Sequence, residues 1–142
     1  MDYLKSFAIS AAGMGLERTR VEVASLNLAN ANTVQASGNA GFQPLRVVAT
    51  AAGVFASLVN DAMAPVTLPT VSVEPTGARP RLVHEPGHPL ADGRGFVAYP
   101  GVDPATEMVT LMSATRAYEA NVAALSTARA LVLKALEIGR NP

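Results

Sequence analysis

The sequence predicts an α+β protein, with long N- and C-terminal helices forming a coiled-coil-like hairpin and a small β-rich module inserted between them. Three observations carry this. Residues 2 to about 31 hold no proline and repeat apolar side chains at helical spacing. Residues 103 to about 139 do the same, behind a single proline at the first helical position. Between them, from Thr33 to Gly101, lie eight of the ten prolines and several short runs of β-forming residues. The expected organisation is therefore an N-terminal helix in 1–33, a middle module in 34–101 and a C-terminal helix in 102–142.

In the first helix Phe7, Met14, Val21 and Leu28 recur every seven residues, with Leu4 and Ala11 at the three/four spacing. A second stripe holds Ile9, Ala12, Leu16, Val23 and Leu26. Phe7 and Ile9 lie about 200° apart around a helix, so the stripes occupy nearly opposite faces. A helix in a small monomer needs one apolar face; two faces ask for two partners. Glu17 with Arg20 and Arg18 with Glu22 are spaced for local ion pairs. Gly13 and Gly15 cost about 1 kcal/mol each in a helix relative to Ala, which points to close packing or a bend.

Three asparagines, Asn27, Asn30 and Asn32, alternate where this helix ends. From physics alone two readings are open: an amide capping a frayed end, or amides fixing the exit direction of the chain at a packed subunit junction. Asn32 to Gly41 is small and polar, the composition of a mobile loop. Strand-like runs follow at Leu45 to Thr50, Val66 to Glu74, Arg81 to Glu85 and Phe96 to Tyr99. The last two flank a turn-rich segment and predict a hairpin with a long loop. Val54 to Met63 fits a strand or a helical turn equally.

For the second helix, Asp103 is the expected N-cap and Pro104 the first residue. Leu111, Tyr118, Leu125 and Val132 recur every seven, joined by Met108, Val122 and Leu136. Gly139 is the expected C-terminal cap, with Lys134 and Arg140 placed where cations suit the helix dipole.

Composition narrows function. Eleven basic residues balance eleven acidic ones, which removes the electrostatic case for nucleic acid or anionic lipid. The absence of Cys removes thiol catalysis and Cys-ligated metals. The Ala-rich uncharged run in the middle, Val47 to Asn60, is 14 residues and falls short of the roughly 20 that a membrane helix needs. No cleaved signal peptide is expected at the N-terminus. Charged residues make up only 15% of the chain, against about 25% in a typical soluble domain. Apolar residues reach 49%, but small ones dominate and Trp is absent. Alanine-lined helices approach closely yet release little burial energy, so the helices are expected to gain most of their order from neighbouring subunits.

One segment imitates a catalytic motif. His84-Glu85-Pro86-Gly87-His88 matches the zinc-protease pattern H-E-x-x-H, which works only on a helix, where both His share a face. Pro86, Gly87 and Pro89 oppose a helix here. The expectation is therefore no enzyme, no metal and no cofactor, and a zinc hydrolase built on His84, Glu85 and His88 stands as the alternative.

Asn27-Leu28-Ala29-Asn30-Ala31-Asn32-Thr33 resembles the N-terminal signature of bacterial flagellar rod and hook proteins. Glu85-Pro86-Gly87-His88-Pro89-Leu90-Ala91-Asp92, Gly95-Phe96-Val97-Ala98-Tyr99-Pro100 and Ser113-Ala114-Thr115-Arg116-Ala117-Tyr118-Glu119-Ala120-Asn121 resemble the C-terminal part of proximal-rod members of that family. The likeness spans about residues 2 to 33 and 81 to 139. It departs at Leu26, where the family usually has Ser, and at Gln43-Pro44-Leu45-Arg46-Val47, which has one basic residue in place of the usual Pro-Tyr-basic run.

The resemblance implies a structural subunit of the periplasmic rod, exported through the flagellar type III apparatus without a cleaved signal. Its terminal helices would build a helical tube that transmits torque. Implied partners are other copies of the chain, the rod proteins FlgB, FlgF and FlgG, and the junction protein FliE. Asn27, Leu28, Asn30, Arg116, Tyr118 and Asn121 are the expected interface residues; Tyr118 suits the hairpin core equally well. A soluble coiled-coil adaptor outside the rod is the remaining alternative.

Overall fold

The computed structural model describes residues 3–34, 41–50 and 68–140. Its elements are α1 (Tyr3–Asn30), β1 (Leu45–Thr50), β2 (Thr70–Pro75), β3 (Arg81–His84), β4 (Phe96–Tyr99) and α2 (Pro104–Arg140). This is the α+β arrangement expected, two long helices around a small β module. Parts of the module lie outside the described residues, namely 35–40 of the segment expected to be a mobile loop and the ambiguous Val54 to Met63 run.

α2 starts as its sequence dictates. Asp103 Oδ1 accepts the Ala105 N–H at 3.1 Å, and Oδ2 accepts the Thr106 hydroxyl at 2.6 Å. These bonds, that from Thr106 first, hold the Asp103 carboxyl below the usual range. The other end departs from expectation. α2 continues through Arg140, so Gly139 lies inside the helix and is no cap. A single helical glycine costs only about 1 kcal/mol, too little to end a helix of 37 residues.

The helices run about 42 and 56 Å and pair antiparallel. Asn27 meets Glu107, and Gly13 meets Asn121, contacts about four turns apart along both helices. The line that α1 turns toward α2 is neither of its apolar stripes. It is Gly13, Glu17, Ala24, Asn27 and Ala31, of which the last four are buried. On a helical projection the two stripes fall roughly a quarter-turn to either side of this seam. The reason is steric: small side chains let the backbones approach, and the bulkier stripe residues fall to the flanks, where Val23 is buried and Ile9 and Leu26 are exposed. Arg20 pairs with Glu17 at 3.2 Å and Arg18 with Glu22 at 2.9 Å, the two ion pairs the spacing predicts.

On α2 the matching seam is also small and polar, with Ala114 fully buried and Thr110, Ala117, Asn121 and Ala128 half-buried. The expected heptad is therefore rotated off the contact. Leu111, Leu125 and Val132 are half-buried at its margin, whereas Met108, Tyr118, Val122 and Leu136 are exposed.

The strands form two separate antiparallel pairs. β1 pairs with β2 from Leu45 opposite Pro75 to Thr50 opposite Thr70, and β1 also packs against α1. β3 pairs with β4 from Arg81 opposite Tyr99 to His84 opposite Phe96, the hairpin expected. Its loop is closed by Asp92, whose Oδ1 accepts the N–H groups of Arg94 and Phe96, both at 2.9 Å. Those bonds, Phe96 first, lower the Asp92 carboxyl below its ordinary value. Gly95 has a φ of +78°, and a Cβ there would lie 3.1 Å from Pro86 Cβ and 3.2 Å from His84 Nε2, so the loop needs glycine at this position. Val97 on β4 has no exposed surface.

Candidate assembly surface

The signature asparagines divide into three environments. Asn27 is completely buried and joins three elements. Its Nδ2 donates to the Leu45 carbonyl at 2.8 Å and to Glu107 Oε1 at 2.9 Å, and its Oδ1 accepts the Leu45 N–H at 2.9 Å. Both donors and the acceptor are used, so one amide ties the end of α1 to the first residue of β1 and the first turn of α2. The reading in which these amides fix the exit direction of the chain thus has a geometric basis, and the contacts lie within one chain. Asn30 acts locally: Nδ2 donates to the Leu26 carbonyl at 2.8 Å, Oδ1 accepts the Thr33 hydroxyl at 3.3 Å, and its carbonyl accepts the Thr33 N–H at 3.0 Å. Asn32 is exposed. Leu28 is half-buried, and its carbonyl accepts the Ala31 N–H at 3.2 Å.

On α2, Asn121 donates to the Ala117 carbonyl at 2.9 Å and lies against Gly13, where an added Cβ would come within 2.9 Å of its Oδ1. Gly13 is therefore the close approach expected; Gly15 meets nothing within 4 Å. Tyr118 is 40% exposed. Arg116 is exposed and makes no hydrogen bond or ion pair among the described residues. It borders a groove of about 260 Å³ with Val109, Met112 and Ser113 on the side of α2 away from α1.

Sequence reasoning missed two parts of this surface. Glu107 reads as one of several scattered carboxylates, although it lies one turn beyond the N-cap, level with Asn27. The Val109–Met112 groove escaped because its residues sit off the heptad line; their i,i+3 spacing, followed by a cation, was the available signal.

The H-E-x-x-H segment lacks its helix. His84 ends β3 and stacks edge-on against Phe96 with ring centroids 5.1 Å apart. The Glu85 carboxylate accepts the Tyr99 hydroxyl at 3.1 Å, and His88 Nδ1 accepts the Leu90 N–H at 3.1 Å. Among the described residues no group of three or more His, Cys, Asp or Glu is placed to hold a metal ion. None of the described helices is long and apolar enough to cross a membrane.

Large apolar side chains are left on the helix pair itself, including Ile9 and Leu26 on α1 and Met108, Val109, Met112, Leu131, Leu133, Leu136 and Ile138 on α2. Such a surface belongs to a protein that works by assembly. The family described as flagellar basal body rod FlgEFG protein C-terminal matches residues 94–138, which run from the β3–β4 loop along most of α2. This places the chain among structural proteins of the flagellar rod. Over 140 residues the chain is 39% identical to the flagellar basal-body rod protein FlgC of Salmonella typhimurium, covering 99% of this chain and all of that one. It is 37% identical to FlgC of Escherichia coli O6:H1 and 35% identical to FlgC of Bacillus subtilis, with the same coverage. The chain belongs to the FlgC family of flagellar basal-body rod proteins. The similarity spans the middle module as well as the two ends where the family signatures lie.

Proposed function

We propose that this structural rod subunit builds the proximal rod by packing its helix pair against neighbouring helix pairs, giving a helical tube that crosses the periplasm and transmits torque. The observation that carries this reading is the seam between α1 and α2. Because it runs between the two apolar stripes of α1, pairing leaves Ile9 and Leu26 of the second stripe exposed for a neighbour, while Phe7, Met14, Val21 and Leu28 of the first are half-buried. Burying one exposed Leu or Ile side chain releases about 1.5–3 kcal/mol, so a few such contacts, repeated by helical symmetry, outweigh the cost of ordering a subunit.

The partners are other copies of the chain and the rod proteins FlgB, FlgF and FlgG, with FliE at the junction. The route is flagellar type III export without a cleaved signal. Of the six residues expected at interfaces, Asn27 and Asn121 act by positioning, through the contacts they make inside the chain. Leu28, Asn30, Arg116 and Tyr118 retain surface for a neighbour. Electron microscopy of isolated basal bodies carrying a labelled chain tests the reading: density for the label in the rod is expected. Intact rods in cells lacking the gene would overturn it in favour of an adaptor.

A further inference from the structure

Resting on the rod reading, we infer that Gly101 is a positioning residue for assembly. Residues 78–79 cross against it, and this crossing clamps the β3–β4 hairpin at one angle to the helix pair, so that module and helices enter the rod as one body. The chain enters and leaves the module at two places, between Asn30 and Leu45 and between Tyr99 and Pro104. At the first, the Asn27 amide holds Leu45, and β1 packs against α1. Among the described elements, neither β3 nor β4 shares a broad face with a helix or with the other strand pair. The angle of that hairpin is left to the connections around it.

The crossing starts from the base of the first strand pair. The Thr76 N–H donates to the Pro44 carbonyl at 2.7 Å, one step beyond the last β1–β2 pair, and the Ala78 N–H donates to the Thr76 hydroxyl at 3.2 Å. Gly77, with a φ of +68°, turns the chain between them. Ala78 and Arg79 then pass against Gly101, where an added Cβ would overlap the Arg79 carbonyl oxygen and lie 3.2 Å from the Ala78 Cβ. Neither side yields readily. The obstacle is backbone, which no rotamer change removes, and Pro80 holds Arg79 toward extended conformations. On the other side Pro100 has its φ locked and Pro104 restricts Asp103, which leaves Gly101 and Val102 as the free joints of the connection. Any side chain at 101 must swing one connection past the other, and the hairpin turns with it.

A free hinge here would let the module take many angles, and each subunit joining a rod would have to freeze one of them at an entropic cost. The clamp removes that cost. Every copy presents the module at the same place, as identical contacts repeated by helical symmetry require.

The chain has no Cys, so spin labels can be placed on the purified full chain without background. Leu82→Cys with Met112→Cys puts one label on β3 and one on α2, both at exposed positions, and Ile9→Cys with Met112→Cys spans the helix pair. A single narrow distance is expected for each. Gly101→Ala should shift or broaden the first by several ångströms and leave the second unchanged. Gly93→Ala, whose Cβ would meet nothing within 4 Å, should move neither. In basal bodies Gly101→Ala is expected at roughly one tenth of the unaltered level. A broad first distribution in the unaltered chain, or a narrow one that Gly101→Ala leaves in place, would overturn the clamp. So would disturbance of the helix pair by Gly101→Ala, since the residue would then act on the fold at large. Incorporation at the unaltered level with the hairpin shifted would overturn the role in assembly. Absence of the labelled unaltered chain from basal bodies would overturn the rod reading and that role together, while the distances still decide the clamp.

Discussion

Asn27 shows how one side chain coordinates segments far apart in the sequence. Truncating it removes three hydrogen bonds and leaves the Leu45 N–H and the Glu107 carboxylate without a buried partner. An orphaned buried polar group costs about 1–3 kcal/mol, more when charged, so Asn27→Ala should destabilise the chain by about 2–4 kcal/mol in denaturant unfolding. Glu107→Gln keeps an acceptor for the same amide and should cost less than half as much. The ordering matters more than the values: equal losses would show that the carboxylate charge, not the hydrogen bond, holds the junction. Asn30 differs in kind, since its partners are its own helix and Thr33 and its surroundings are half open.

The elements divide between those that follow from local chemistry and those set by packing. Helix α1 carries two glycines two residues apart, on nearly opposite faces and in different environments. At Gly15 an added Cβ meets nothing, so Gly15→Ala should stabilise the helix by about 0.5–1 kcal/mol. At Gly13 the same gain is opposed by the Asn121 amide, already committed to the Ala117 carbonyl. Gly13→Ala should therefore be neutral or destabilising. Thermal unfolding of the two variants side by side checks this, and equal stabilisation would refute the close approach at Gly13. In α2 the Asp103 cap and Pro104 are legible in advance because their partners lie within three residues. The seam residue Ala114 is not, because its partner helix is some ninety positions away in the chain.

At the scale of the whole molecule, the two helices are already continuous and paired within one chain. The proposal that neighbours supply most of their order is tested at the flanks. Those flanks are separable from the seam. Ile9 is 52% and Leu26 45% exposed, so Ile9→Lys with Leu26→Lys should leave the helix content of the chain unchanged by circular dichroism. The same variant should abolish assembly into basal bodies and motility, because buried unpaired ammonium groups are costly. A motile strain would show that this flank meets no neighbour. Solubility should rise in parallel, since the exposed apolar patch shrinks.

Much of this protein was decided by the order of its residues alone. Helix periodicity, the proline-dense middle, the Asp103 cap and the β3–β4 hairpin all rest on forces acting between near neighbours, which leave a readable pattern. The family signatures at both ends lay in the same local stretches, and they sufficed to identify a rod protein. What the tertiary structure decided was which face of α1 meets α2, where Asn27 sends its amide, and that β1 pairs with β2. Small and polar side chains fill the seam, and such residues carry no hydrophobic periodicity from which a contact can be inferred. Their role follows only from how closely two backbones approach, and that distance is set by all the side chains along both helices at once.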